Sequence, residues 1–212
     1  MPRAAPGDVS EPPSRRVVLG SLGFVLAGAL VGCTDAQADP LGPGRVLPPT
    51  AGELDRFLSA CIRCFRCGEV CTAGCIEFHP VWAGPRLAGT PYVVPRVAGC
   101  NTCMRCTTVC PTDALTATAT DKESVLDAVD MGLAWVDEGL CLSHQGRACG
   151  VCHDACPYPG DAIRLEGSAK PVVRDGCVGC GRCEERCPQV PSAIRVFRAD
   201  PGPRWTGARD EP

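Results

Sequence analysis

The chain has 212 residues, a formal net charge of −3 and only 5% aromatic residues, together with 24 Gly, 21 Pro and 18 Cys. The near-neutral charge, without a basic run, argues against a nucleic-acid partner. The few aromatic residues argue against a large conventional hydrophobic core, so the fold needs cross-links of another kind. On composition alone, an exported cysteine-rich chain would most simply form disulfides.

Residues 1–38 have the layout of an export signal peptide. Arg15 and Arg16, within the stretch SRRVVLG, directly precede the uncharged apolar run Val17–Val31. That run is shorter than the ~20 residues typical of a membrane span. Paired arginines after a serine indicate export by the twin-arginine route, which makes the twin-arginine translocase a partner during export.

The signal can end in three ways. Leu30–Cys33 resembles a lipoprotein box, which would make Cys33 a lipidated N-terminus, whereas cleavage at Ala36–Ala38 would remove Cys33. Without cleavage, the segment would remain as an anchor. Residues 39–52 are rich in Pro and Gly and predict a linker, and residues 199–212 predict a loose tail.

Two longer helices are predicted, one over Glu53–Ala60 and one over Lys122–Ala134 with Asp121 as its N-cap. The second, within residues 121–134, would connect two halves at 53–120 and 135–198. Short β-prone runs lie at Tyr92–Val97, Ala134–Val136 and Pro171–Arg174, and apolar steps at Ala114–Leu115, Ala162–Ile163 and Ala193–Ile194. The repeated unit of strand, cysteine loop, helical turn and strand predicts an α+β fold of two tandem bicluster ferredoxin-like halves.

Four cysteine motifs carry the chemistry. The spacing C-x2-C-x2-C lets one loop offer three thiolates to a [4Fe–4S] cluster, and the fourth cysteine, followed by proline in three motifs, reaches the neighbouring cluster. A bare C-x2-C pair would suit zinc equally well, but the repeated full spacing favours iron–sulfur over zinc or disulfides. The predicted ligands are Cys61, Cys64, Cys67 and Cys71; Cys100, Cys103, Cys106 and Cys110; Cys141, Cys149, Cys152 and Cys156; and Cys177, Cys180, Cys183 and Cys187.

The interleaved spacing also predicts how the motifs combine into four clusters. Adjacent motifs are close in sequence, so motifs one and two would exchange their fourth cysteines, as would motifs three and four. A nested scheme, which pairs motif one with four and two with three, stays open. Under the adjacent scheme the ligand sets are Cys61, Cys64, Cys67 and Cys110; Cys100, Cys103, Cys106 and Cys71; Cys141, Cys149, Cys152 and Cys187; and Cys177, Cys180, Cys183 and Cys156.

The motifs depart from the regular pattern in three places. Thr72 replaces the proline of motif one, and the additional Cys75 is interpreted as a small buried bystander. Motif three has seven residues between Cys141 and Cys149. His144 and His153 lie beside this motif, but with four thiolates available they are interpreted as loop or supporting residues rather than ligands.

The chain resembles the ferredoxin-type NapG/MauM family from about Pro48 to Pro203. The similarity is carried by FLSACIRC, AGTPYVV, DMGLAWVD, CLSHQGRACGVCHDACP and CVGCGRCEERCP. It implies that the long gap in motif three is a family feature. It also implies a twin-arginine-exported protein with four [4Fe–4S] clusters at the periplasmic side of the inner membrane.

The implied function is electron relay between a membrane quinol dehydrogenase, or another redox subunit, and periplasmic redox proteins of nitrate-reductase or methylamine type. The chain would then be an electron-transfer subunit and not a self-sufficient enzyme. Twin-arginine export fits this function because folded proteins are transported, so clusters can be inserted in the cytoplasm. Two alternatives fit the same motifs: an electron-transfer subunit of a molybdopterin oxidoreductase, and an accessory or maturation iron–sulfur protein.

Overall fold

A computed structural model describes residues 41–42 and 44–198. The predicted signal peptide, Cys33 and the tail at 199–212 lie outside these residues. Within the described part of the chain, no helix has the length and apolar character needed to cross a membrane.

The described chain consists of short helices, short strands and the loops between them. The helices are α1 (Leu54–Ala60), α2 (Arg66–Glu69), α3 (Arg105–Thr108), α4 (Lys122–Ala128), α5 (Val151–Asp154) and α6 (Arg182–Arg186), with a 3₁₀ turn at Val81–Ala83. The strands are β1 (Ile76–Phe78), β2 (Pro91–Val93), β3 (Leu133–Val136), β4 (Ile163–Glu166), β5 (Lys170–Val173) and β6 (Ile194–Phe197). This small mixed content fits the α+β prediction.

The strands form antiparallel pairs that tie the cysteine motifs together two by two. Strand β1 follows motif one and pairs with β2, which leads into motif two. In the second half, β4 follows motif three and pairs with β5, which leads into motif four. Strand β3, before motif three, pairs with β6, after motif four. Adjacent motifs are therefore joined by hairpins, and β3 with β6 closes the second half.

The segment predicted as a linker packs instead against the first half. Val46 and Val93 exchange both backbone hydrogen bonds, Val46 N–H to Val93 O at 2.9 Å and Val93 N–H to Val46 O at 2.8 Å. Leu41, Leu47 and Ala51 are buried. The Pro and Gly content led to the linker prediction. The free energy gained by burying these apolar side chains outweighs the entropy cost of ordering the surrounding backbone. Residue 46 thus gives β2 a further partner.

The helix before the second half is shorter than predicted. The Asp121 N-cap is confirmed, since its Oδ1 accepts a hydrogen bond from Ser124 N–H at 2.9 Å. Helix α4 ends at Ala128 rather than at residue 134. Gly132 has φ of 128°, and a Cβ there would lie 2.5 Å from Phe197 O. The chain at residue 132 lies so close to β6 that only glycine fits there. The apolar residues that follow, predicted as the end of the helix, belong to β3.

Two hydrophobic cores lie beneath the cysteine loops. The smaller one, beside motif one, contains Leu47, Phe57 and Leu115. The larger one contains Val93 of the first half together with Ile194 of the second. Because the larger core takes side chains from both halves, the described residues from Leu41 to residue 198 form one compact unit.

Candidate metal centres

The cysteine loops owe their curl to left-handed backbone beside the second cysteine. In three motifs the residues directly before and after this cysteine have φ between 52° and 81°. Glycine adopts this conformation freely, but other residues lose about 1–2 kcal/mol each. The positions are Arg63 and Phe65, Thr102 and Met104, and Gly179 and Gly181. Only the two glycines could have signalled this geometry in the sequence.

This curl directs backbone amides toward sulfur. Thr102 N–H donates to Cys100 Sγ at 3.4 Å, and Cys180 accepts a backbone hydrogen bond from Arg182 in the equivalent way. Such bonds favour a thiolate over a thiol, as a metal-binding loop requires. The third cysteine of each motif lies on the helical turn that follows, in α2, α3, α5 or α6.

The thiols come together in four groups, here called cradles one to four. Cradle one is an apolar cavity beside Phe57 and Phe78, and its sulfur atoms belong to Cys61, Cys64, Cys67 and Cys110. Among the described cysteines, Cys64 alone is exposed. Cradle one is consequently the cradle, among the described residues, with an exposed cysteine.

Cradle two is built around the buried Cys106 of α3. Its neighbours within the group are the thiols of Cys71, Cys100 and Cys103. Cys100 and Cys106 are each only 6% exposed. An open cleft reaches the group from the side of Cys71, between α2 and α3.

Cradles three and four are apolar cavities of the second half. Cradle three contains Cys141, Cys149, Cys152 and Cys187. Cradle four contains Cys156, Cys177, Cys180 and Cys183. Despite the long gap of motif three, its first three cysteines lie in one group. In all four cradles the structure brings together three cysteines of one motif and the fourth of its adjacent motif.

Burial makes these thiols hard to ionise without a metal. It raises the pKa of Cys67, Cys106, Cys152 and Cys180 to about 12, and neighbouring thiolates of the same cradle add to the effect. At neutral pH a cradle without metal therefore keeps these protons. Iron that binds four thiolates must displace them, which couples cluster insertion to proton release.

The cradles fit a cluster better than a single zinc ion. Four thiolates around one zinc lie roughly 3.8 Å apart, given the Zn–S distance of about 2.3 Å. In the described residues, no three His, Cys, Asp or Glu side chains converge in a way that could hold one metal ion. A donor set made only of thiols, spread around an apolar cavity, suits the larger [4Fe–4S] cluster.

Thr72 adds a contact that the sequence did not reveal. Its hydroxyl donates to Cys103 Sγ at 3.3 Å and accepts a hydrogen bond from Asn101 Nδ2 at 2.9 Å. A proline at this position, as in the other motifs, could not donate. The departure from the motif therefore gives cradle two a hydrogen bond to sulfur.

Cys75 is buried as expected, at 3% exposure, but the bystander interpretation is too simple. Its sulfur lies 3.6 Å from that of Cys71 and is in hydrogen-bond contact with Cys100. This contact lowers the pKa of Cys100 and raises that of Cys75, so the proton stays on Cys75. The Cys75 thiol thus contacts two sulfur atoms of cradle two.

The two histidines near motif three occupy different settings. Nδ1 of His144 lies 3.7 Å from Glu138 Oε2, and its Nε2 is buried without a hydrogen-bond partner. Nδ1 of His153 lies 3.3 Å from Asp154 Oδ1. Their role as supporting residues and not ligands stays a prediction.

Comparison with known proteins agrees with this organisation. The model of a 4Fe-4S dicluster domain matches residues 60–114, and a second such model matches residues 133–188. The methylamine utilization ferredoxin-type protein MauM of Paracoccus denitrificans is 35% identical over 92% of this chain and 88% of its own. The chain belongs to the ferredoxin-type NapG/MauM family.

Other family members show similar identity. The ferredoxin-type protein NapG of Escherichia coli is 37% identical over 72% of this chain and 64% of its own. MauM of Methylorubrum extorquens is 32% identical over 85% of this chain and 82% of its own. Like its relatives, this NapG/MauM protein is an iron–sulfur electron-transfer protein. Its two dicluster domains hold four [4Fe–4S] clusters, which confirms the predicted cofactors.

Proposed function

We propose that each cradle holds one cluster through its four cysteines, and that the protein relays single electrons on the periplasmic side of the cytoplasmic membrane. One partner would be a membrane-bound quinol dehydrogenase or another redox subunit. The other would be a periplasmic electron acceptor or donor. A [4Fe–4S] cluster supplies a one-electron carrier, and the protein supplies the thiolates, the apolar cavity and the hydrogen bonds to sulfur.

One observation carries this proposal. Sixteen thiols form four cradles inside a single compact unit, and neighbouring cradles have thiols close to one another, such as Cys67 and Cys106. A protein that only stored iron or bound zinc for stability would not need cavities in contact. A relay does, because electron transfer falls off steeply with distance.

The proposed location and partners have separate support. The stretch SRRVVLG favours twin-arginine export, and the motifs quoted from the sequence resemble a family of periplasmic-side proteins. The Paracoccus relative is named for methylamine utilization. We extend a periplasmic redox role to this chain as part of the proposal, without choosing between nitrate-reductase and methylamine systems.

The first experiment is to measure iron, acid-labile sulfide and zinc on anaerobically purified full-length protein. Close to sixteen iron and sixteen sulfide per chain is expected, four for each of four clusters. Zinc with little sulfide would overturn the proposal. About twelve iron would mean that cradle one or cradle three is not filled, and Cys→Ala variants at Cys64 and Cys149 would show which of the two.

A second experiment tests the partner. Membranes that contain the quinol dehydrogenase, with added quinol, should reduce the clusters within milliseconds, and heat-inactivated membranes should not. Clusters that stay oxidised would favour an accessory or maturation role. Co-purification with a large periplasmic catalytic chain, without a quinol dehydrogenase, would favour a subunit of a molybdopterin oxidoreductase.

A further inference from the structure

The loops of motif two and motif four are in direct backbone contact. Cys100 N–H donates to Cys180 O at 2.7 Å. Next to it, Gly99 N–H donates to Glu185 Oε2 at 3.0 Å. These bonds join a cysteine of cradle two to a cysteine of cradle four, so the two cradles are neighbours across the boundary between the halves.

Glycine permits this close approach. A Cβ at Gly99 would lie 2.7 Å from the backbone nitrogen of Arg182, and one at Gly181 would lie 2.5 Å from Cβ of Pro95. Both distances are shorter than any tolerated contact, so a side chain at either position would push the loops apart. The short distance between the two loops thus depends on glycine at both positions.

A further side-chain contact joins cradle four to cradle two. The hydroxyl of Tyr158 donates to Thr102 Oγ1 at 3.0 Å, and Tyr158 follows Cys156 of cradle four by two residues. Within the second half, the thiol of Cys183 in cradle four neighbours that of Cys152 in cradle three. Cradle three therefore adjoins cradle four.

We propose that electrons pass the clusters in the order one, two, four, three, so that the second half is traversed against the chain direction. The inference rests on the proposed assignment of one cluster to each cradle. At each step a reduced cluster is oxidised as its neighbour gains the same electron, and no bond is made or broken. One redox partner of the chain supplies the electron at one end, and the other accepts it at the opposite end. The ends are cradles one and three, with cradles two and four inside.

Spin coupling between reduced clusters can test the order in the full-length holoprotein. Cys149→Ala should empty cradle three, and Cys177→Ala should empty cradle four, with iron analysis reporting about twelve atoms in each case. After dithionite reduction, our order predicts an isolated spin, of about one per chain, in Cys177→Ala only. In Cys177→Ala the cluster of cradle three would have lost its neighbour in cradle four. In Cys149→Ala the clusters of cradles one, two and four would still be adjacent in series.

An isolated spin in Cys149→Ala, or in neither variant, would overturn the proposed order. Wild-type protein with far fewer than sixteen iron atoms would instead contradict the ligand assignment, so the two failures are distinguishable. Should a cysteine variant not fold, Gly99→Ala offers a second test with all ligands present. This variant should weaken the spin coupling between the cluster pair of cradles one and two and the cluster pair of cradles four and three.

The matched control for that variant is Gly150→Ala, also within a cysteine motif. A Cβ at Gly150 would lie 3.4 Å from Leu165 Cδ1, an ordinary contact. It should leave the coupling between pairs unchanged. Equal coupling in wild type, Gly99→Ala and Gly150→Ala would contradict the role of the Cys100–Cys180 junction.

Discussion

The sulfur of Cys75 lies 3.6 Å from that of Cys71, so a cysteine outside the regular spacing contacts a proposed cluster ligand. The same thiol is in hydrogen-bond contact with Cys100. Hydrogen bonds to ligand sulfur stabilise the reduced, more negative cluster and raise its reduction potential. Cys75 is therefore expected to tune cradle two without being a ligand.

Replacing Cys75 by alanine should lower the reduction potential of one cluster by about 20–60 mV, as expected for the loss of about 0.5–1.5 kcal/mol of hydrogen bonding. Cys75→Ser keeps a donor and should stay closer to wild type. Redox titration followed by electron paramagnetic resonance measures the shift. Both variants should retain sixteen iron atoms, and a loss of four would mean that Cys75 is a ligand after all.

Thr72→Val should lower the potential of the same cluster, because it removes the hydroxyl donor to Cys103 Sγ. The expected shift is again about 20–60 mV. Thr108→Val is the matched control, since the Thr108 hydroxyl donates to Arg105 O and not to sulfur. Equal shifts in both variants would show that the effect is structural rather than electrostatic.

The cluster of cradle one should be the first lost in air. Its Cys64 is exposed, and its other three cysteines are only half-buried, whereas each other cradle has at least one fully buried cysteine. Oxygen and water reach an exposed cluster sooner. Timed exposure to air should give an intermediate with about twelve iron atoms, in which Cys64 reacts with an alkylating reagent before Cys106 does. Earlier alkylation of Cys106 would contradict this.

Tyr158→Phe should destabilise the protein by about 1 kcal/mol, because the buried Thr102 hydroxyl loses the donor that joins the halves. Anaerobic denaturation in guanidinium, with cluster absorbance as the signal, measures the change. Tyr92→Phe serves as the comparison. Tyr92 donates to the exposed Glu77 carboxylate at 2.9 Å, where water can replace the lost donor, so a smaller change is expected.

Replacing both Arg15 and Arg16 by lysine should leave the protein in the cytoplasm with its clusters intact. The twin-arginine route depends on the arginine pair and not only on positive charge. Arg3→Lys, outside the motif, is the control and should be exported normally. Fractionation of cells, with iron analysis of each fraction, measures the outcome. Normal delivery of the double variant to the periplasm would contradict twin-arginine export.

Local signals predicted much of the fold. The Asp121 cap, helix α1 and the strands next to motif four follow from side-chain periodicity and capping chemistry. The spacing of the cysteines also favoured the adjacent pairing of motifs, although it left the nested scheme open. These features depend on residues near one another in sequence, which is why pattern alone can identify them.

Long-range contacts were not predictable in the same way. Val46 lies in a Pro- and Gly-rich segment, and only its pairing with Val93 makes it part of the fold. The Thr72 hydroxyl and the Cys75 thiol contact sulfur atoms of motif two, 31 and 25 residues further along the chain. The Cys100–Cys180 junction likewise depends on Gly99 and Gly181. The need for glycine at these positions follows from the close approach of two distant loops, which the sequence does not show.

The shared core has a consequence for biosynthesis. Cys100 is buried against a loop that leaves the ribosome 80 residues later than it does, a delay of roughly 4–16 s at ordinary rates of translation. Until the loop of motif four emerges, the backbone N–H of Cys100 has no acceptor there and this side of motif two stays uncovered. The order of synthesis thus delays the burial of this cysteine of cradle two until motif four is in place.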